Sequence, residues 1–455
     1  MKKIYIYSVI ITSFLVVGLS SCDKQLDLQP TQSIDQDKAL LTSQDVSVAL
    51  VGAYSELGDV NFLGGRVYLT ADFLANTNEI EWGGTYQGMT QMINKAIPKD
   101  NIFVNNIWFK GYDVINDVNN VLAALDKVST ASKDKVEGEA KFIRGTAHFE
   151  LVRLFGKAYN DGTPGTNLGV PIVLTPTKAV DATNNVSRAT VAAVYTQVIA
   201  DLTDAEAKLP ASNGIYANKY AAAAMLARVY LQKGDYANAA SAANRVITLS
   251  GKTLTTNYVD AFPAVGGSAG SNTSEDVFAI QVTTQSGSNG FSEFYDSGDN
   301  GGRGDAAISN AWKASYESGD QRLNTYFVSG GSNWIGKFSN QFGNISVIRL
   351  SEMYLIRSEA NLRLAPASPI GAVTPTADLA TVRSRVGLPL VTATLANILK
   401  ERKYEFAFEG FALHDAKRTQ TNIGSIAWNA DKLVFPIPQR EMDANPKLVQ
   451  NPGYN

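Results

Sequence analysis

Three stretches of this chain set aromatic rings beside hydrogen-bonding groups in glycine-rich, polar surroundings. Residues 76–88 read NTNEIEWGGTYQG and offer Trp82 and Tyr86 next to Asn78. Residues 290–305 read GFSEFYDSGDNGGRGD and offer Tyr295, Asp296 and Arg303. Residues 330–338 read GGSNWIGKF and offer Trp334. A flat ring covers the C–H face of a sugar at small entropic cost, while amide, carboxylate and guanidinium groups bond its hydroxyls. Trp82, Tyr86, Asn78, Tyr295, Asp296, Arg303 and Trp334 are therefore the candidate ligand-binding residues. The competing role for each ring is packing within its own loop.

Other chemistries find less support. Residues 331–338, GSNWIGKF, follow a phosphate-loop pattern up to Lys337, but Phe338 stands where a magnesium-binding hydroxyl is required. GRGDAA at 302–307 resembles a dinucleotide glycine pattern without a buried strand before it. His148 and His414, the two histidines, lie in separate helical patterns without a partner at ligand spacing, so both are expected to be structural. No GxSxG elbow occurs and no carboxylate pair is singled out by spacing. The sequence nominates no catalytic residue, no metal ligand and no cofactor. Glu401, Arg402, Glu405, Asp415, Lys417 and Arg418, crowded into ERKYEF and DAKR, read as an ion-pair network of the scaffold.

The elements that must position these loops are mostly helices. Residues 43–57 carry apolar residues at helical spacing, with Ser43 as the expected N-cap. Residues 106–128 and 135–156 repeat the pattern, the second ending at Gly156, and 190–209 form another helix stopped by Pro210. NKYAAAAMLARVYLQKGDYANAASAANRVITLSGK reads as two helices about KGDY, with small alanine faces for close approach and Tyr230, Leu231 and Tyr236 as fillers. It resembles a tetratricopeptide-type hairpin, a unit that buries its apolar face by stacking on neighbours. Residues 347–364 read similarly, with 377–386 as partner. Trp108 and Trp312 fall in helical patterns and are expected in the core; Trp428 is expected to be structural. DVFAIQV at 276–282 is the clearest strand, expected in a small sheet.

The chain opens MKKIYIYSVIITSFLVVGLSSCDKQ: two lysines, a short apolar run and small residues before Cys22, the sole cysteine of 455 residues. That is the pattern of an export signal, too short to span a bilayer. LSSC resembles a bacterial lipobox, which implies cleavage after residue 21 and acylation of Cys22. Without the two lysines, 38 basic residues face 43 acidic ones, a balance that argues against nucleic acid as partner. With 45% hydrophobic and 18% charged residues the composition is that of a globular protein whose stability must come from a core.

Taken in order, LDLQPTQSI (26–34), EAKFIRGTAHFELVRLFG (139–156), RATVAAVYTQVIADLTDAEAKLP, the alanine-rich hairpin, IRLSEMYLIRSEANLRL, VRSRVGLP, ERKYEFAFEGFALHDAKR and FPIPQREMDANPKLVQNPGY resemble the SusD/RagB family over almost the whole chain. One departure is EGFALHDAKR, where the family often has an arginine near Leu413. The resemblance implies a mainly α fold, a tetratricopeptide-like scaffold with an irregular, loop-rich binding face and a little β. It also implies a signal peptide at 1–21 and a single domain over 22–455, with binding loops near 60–106 and 263–346. The implied protein is a non-enzymatic lipoprotein of the outer membrane that captures oligosaccharide for a SusC-like TonB-dependent transporter. Two alternatives stay open: the same transporter lid binding peptides, and a helical-repeat envelope scaffold without a small ligand.

Overall fold

The computed structural model describes residues 40–178, 185–262, 271–283 and 287–454; the export segment and Cys22 lie outside them. Every described helix and strand falls within Thr42–Asn455, which packs as one compact unit.

Helix α1 (Ser43–Leu57) starts one residue before the sequence expectation. Thr42, not Ser43, is the N-cap: its hydroxyl accepts from the Asp45 amide at 3.2 Å, and the Asp45 carboxylate accepts from the Thr42 amide at 2.8 Å. The reciprocal pair satisfies two end amides that Ser43 alone would leave open. Helix α2 (Arg66–Ala75) is buried along its whole length. The short α3 (Gln87–Ile93) leads to α4 (Ile102–Ala123), α5 (Thr130–Phe155) and α6 (Val191–Lys208). Helix α5 packs against α4 and α6, and its close approach depends on small residues. A Cβ on Gly145 would lie 3.1 Å from Leu202, and one on Gly111 of α4 would lie 2.9 Å from Leu151.

The alanine-rich pair is α7 (Lys219–Lys233) and α8 (Tyr236–Leu249). Gly234 closes α7 in the left-handed region at φ 80°, which a residue with a Cβ resists, and Asp235 caps α8. Ala221–Ala224 and Ala239, Ala240, Ala242 and Ala243 are all buried, so the hairpin packs backbone close to backbone. It stacks on α6 and on α11 (Leu350–Leu364), which pairs in turn with α12 (Pro375–Arg385), as the sequence indicated. Together they build the helical-hairpin scaffold, and the fold is mainly α.

The other face carries short elements. Helices α9 (Gly290–Tyr295) and α10 (Asn310–Ala314) separate brief strands. Strands β1 (Ile80–Trp82), β3 (Ala306–Ile308), β5 (Ser332–Ile335) and β4 (Tyr326–Ser329) form a four-stranded antiparallel sheet in the order β1-β3-β5-β4. The expected strand at 276–282 is β2 (Asp276–Ile280), paired with β6 (Ile345–Arg349). Helices α13 (Leu395–Glu405), α14 (Ala412–Arg418) and α15 (Gln439–Ala444) complete the described α-helices.

Where α11, α12, α13, α14 and β6 meet, the charges of ERKYEF and DAKR are buried. Glu405, fully buried, takes Arg349 at 2.9 Å and also pairs with Arg385. Arg322 lies 2.6 Å from Glu401, and Arg418 lies 2.6 Å from Glu359. Asp415 receives Arg402 at 2.9 Å and Arg418 at 2.7 Å. Lys417 instead donates to the Leu433 carbonyl at 3.2 Å. Burial pushes the Glu405 carboxyl up, but Arg385, Arg349 and Arg322 outweigh it and hold it well below the usual carboxylate range. His148 and His414 are buried in α5 and α14, and burial pushes His148 down to about 4. Lys337, of the phosphate-loop-like stretch, is 3% exposed and donates to Ala407 and Glu409 at 3.0 and 2.7 Å. It braces a turn and is not free for phosphate.

Glu405→Gln leaves buried guanidinium groups short of a partner and should destabilise the chain by about 3 kcal/mol in urea titration. The sign with pH follows from the depressed carboxyl. Its contribution is full above the unfolded value of about 4.3 and fades as pH falls towards the lower folded value. Glu405→Gln should therefore flatten the acid limb of a stability–pH curve.

Candidate binding platform

Strand β1 is short, and its pairing with β3 decides where the first loop's rings go. Trp82 stands opposite Ala306, and the ladder runs one step past the strand, the Gly83 amide donating to the Asp305 carbonyl at 2.8 Å. The strand's end thus lies against the 298–304 loop. That loop folds back through Gly304, in the left-handed region at φ 69°. Its exposed Arg303 reaches across the gap and stacks 4.3 Å over the Tyr86 ring.

Trp82 is half-buried and fixed on several sides. Its indole N–H donates to the Thr90 hydroxyl at 2.9 Å, and its ring meets Phe73 edge-on at 5.3 Å and Phe294 at 5.9 Å. Tyr86 is 41% exposed and rests on Phe103 and Phe294, each 5.8 Å away between centroids. Arg303 is held through one nitrogen alone, Nε, which donates to Asp305 at 2.6 Å. That bond raises the guanidinium pKa. Among the described residues no protein group accepts from its Nη1 or Nη2, so the fork faces outward. Tyr86, Trp82 and Arg303 make an open, rigid platform of one exposed ring, one half-buried ring and a free two-donor fork.

The remaining candidates lie elsewhere in the same region. Trp334 is 6% exposed and donates to the Ser329 carbonyl at 3.0 Å; a Cβ on Gly304 would come 3.7 Å from its ring, so it supports the loop from beneath. Tyr295 is fully buried, its ring 5.6 Å from Phe408 and its hydroxyl donating to Asp72 at 3.3 Å. Burial, then the neighbouring Asp72, pushes its phenol well up. Asp296 is also buried: it accepts from the Ser297 amide at 2.9 Å, Ser339 at 3.1 Å and Asn300 at 3.2 Å. Burial raises its carboxyl. As placed, Tyr295 and Asp296 hold the loop's base and present no face to solvent. Asn78 is exposed on the turn before β1. Sequence reasoning passed over Thr90 and Asp305, which orient Trp82 and Arg303. A threonine one turn into α3 and a carboxylate two residues past an arginine were the available signals.

The chain thus sets an exposed tyrosine ring and an outward-facing guanidinium on an irregular face carried by stacked helical hairpins. Residues 24–231 match the SusD-like family model described as starch-binding, associating with outer membrane. A SusD-like protein, P2, of Formosa agariphila is 25% identical, the alignment spanning 100% of both chains. A putative sugar-binding protein from Bacteroides vulgatus superposes with TM-score 0.81 at 27% identity, over 92% of this chain and 100% of that one. A laminarin-binding SusD-like protein shares the fold at TM-score 0.73 and 23% identity, over 91% of this chain and 100% of that one. The chain is thus similar to SusD-like proteins in sequence, over residues 24–231 by the family model and over its full length by the relative, and in fold.

The platform's geometry depends on Gly84, where a Cβ would fall 2.4 Å from the Trp82 ring and 2.8 Å from the Asp305 carboxyl carbon. Gly84→Ala should cost about 1–3 kcal/mol and shift tryptophan emission. Gly83→Ala, whose nearest contact would be 3.9 Å away, should change neither.

Proposed function

We propose that this protein captures an oligosaccharide on the platform of Tyr86, Trp82 and Arg303. The observation that carries the reading is the exposed Tyr86 ring, locked beneath a guanidinium whose two terminal nitrogens are free. A sugar's C–H face can lie on ring surface that is already ordered, so little rotamer freedom is lost on binding. The fork offers parallel donors to ring hydroxyls. Starch-type and laminarin-type glucans come first as ligands, in view of the names that the family model and one structural relative carry.

The same reading includes the rest of the sequence expectation. Residues 22–455 act as one domain, lipid-anchored through Cys22 at the outer membrane. The protein binds without catalysis and hands its ligand to a SusC-like TonB-dependent transporter. Modest affinity suits that role, because release must follow capture.

Isothermal titration with malto- and laminari-oligosaccharides tests capture. We expect saturable binding that Tyr86→Ala or Trp82→Ala weakens about three- to tenfold, the range of one ring contact. Absence of binding across a broad glycan panel would sink the carbohydrate reading; recovery of peptides from a library would replace it. Delivery is tested in cells: affinity purification should bring down a TonB-dependent transporter, and antibody should label intact cells in a Cys22-dependent way.

A further inference from the structure

A cavity of about 490 Å³ opens beside the start of β1, and none of Trp82, Tyr86, Arg303 or Trp334 lines it. Its walls come from the turn after α2, Ile80 of β1, Trp312 of α10, α13, the 406–411 turn, Ala416 of α14 and the 421–424 segment. Trp312, Phe406, Phe408 and Phe411 supply ring surface. Lys400 and Lys403, each about half exposed, stand at its edge, Lys403 lying 4.9 Å over the Trp312 ring.

The 406–411 turn is built with strain. Phe408 adopts φ 65°, a region that side chains with a Cβ avoid. Bonds from outside hold it there: Lys337 donates to the Ala407 carbonyl at 3.0 Å, and Arg349 to Glu409 at 2.9 Å. The Gly410 amide donates to Asp72 at 3.0 Å.

Asp72 is the second observation. It is 5% exposed and lines the cavity. Both of its bonds, from the Gly410 amide and the Tyr295 hydroxyl, end on Oδ2. No described residue donates to Oδ1, and this oxygen is not among the sealed polar atoms that lack a partner. Burial pushes the carboxyl up to about 8. A buried acid is a costly way to hold one amide and one phenol, since a neutral side chain accepts the same bonds.

We propose that this cavity is a second ligand site, taking a small aromatic ring that bears a hydroxyl. The ring packs against Trp312 and the phenylalanines of the 406–411 turn, and the hydroxyl bonds Oδ1 of Asp72. A hydroxyl both donates and accepts, so it suits the carboxyl in either protonation state. A sugar suits the cavity less well. Its hydroxyls ring the whole molecule, and Trp312, Phe406, Phe408 and Phe411 offer them no partner; Asn76, Thr77, Thr421 and Asn422 also line the cavity and can bond hydroxyls, so D-glucose is the control that separates the two ligand classes.

2-Naphthol is the probe, with naphthalene and D-glucose as controls, titrated into the full chain. The proposal expects saturable 2-naphthol binding about fivefold tighter than naphthalene, the worth of one net hydrogen bond. Ala416→Phe, which fills the cavity, should weaken it at least tenfold and leave oligosaccharide binding at the platform unchanged. Absent 2-naphthol binding, equal affinity for the two ring compounds, undiminished binding to Ala416→Phe, or displacement by glucose would each overturn it. Should Ala416→Phe fail to fold, Overhauser contacts from bound 2-naphthol to the Trp312 ring decide the same point: their presence supports the site and their absence removes it.

Discussion

The structure turns on a set of buried guanidinium–carboxylate pairs under α13. Glu275, Arg322, Arg349, Arg385 and Glu405 come from segments far apart in the chain, yet all are nearly or fully buried and meet within bonding distance. Removing such charges from water costs several kcal/mol for each ion, and the cost is offset only when every group finds its partner in good geometry. The network therefore admits one arrangement of the elements that carry it. Apolar side chains in the same place would tolerate sliding; a forked guanidinium that slides leaves a charge unpaired in a dry interior.

That constraint suits a molecule with two unlike halves. On the scaffold side, alanines and glycines let helices approach closely, and regular periodicity does the work. Ala222, Ala224, Ala240 and Ala243 are fully buried, so each adds contact without demanding room. On the loop side no such regularity exists. Strands of three to five residues cannot hold a binding face alone. Side chains bonded to backbone do it instead: Lys337 under the 406–411 turn and Asp296 under the 298–304 loop. The ionic network ties these braces to the helices, because Lys337 and Arg349 both bond the Glu405 carbonyl.

The division explains what could be read from the sequence. Helical hairpins announce themselves through spacing over many residues, so α5 to α8 and the α11–α12 pair were legible. The ion-pair network was legible in part: the crowded charges of ERKYEF and DAKR gave Glu401, Arg402, Glu405, Asp415 and Arg418, but Glu275, Arg322, Arg349 and Arg385 lie in distant segments and Lys417 bonds a carbonyl instead. The sheet was mostly illegible. Strand β1 is three residues long, and nothing in IEW shows that it will pair with AAI more than two hundred residues later. That pairing brings Trp82 to Arg303. The burial of Tyr295 was equally hidden, because a short helix sunk in the core has no polar face to reveal which side is out. Trp312 shows a subtler limit. Its helical setting correctly implied burial at 6% exposure, but burial and lining a cavity are compatible, and local pattern cannot tell them apart.

Rigidity and exposure oppose each other in any exposed aromatic cluster, and the cluster around Tyr86 resolves the conflict by layering. Phe73 and Phe294, both fully buried, form a floor. Trp82 is half sunk into that floor, and Tyr86 stands on it with more than a third of its surface open. Each ring is ordered by the one below, so the outermost surface is fixed without being buried. The adjacent α9 residue Tyr295 continues the same layer inward, where it meets Phe408 and Asp72 on the wall of the second cavity. The two faces share a foundation and keep separate surfaces. A substitution in the shared layer, at Phe73 or Tyr295, would therefore disturb both, whereas one at Tyr86 or Ala416 would act on one alone.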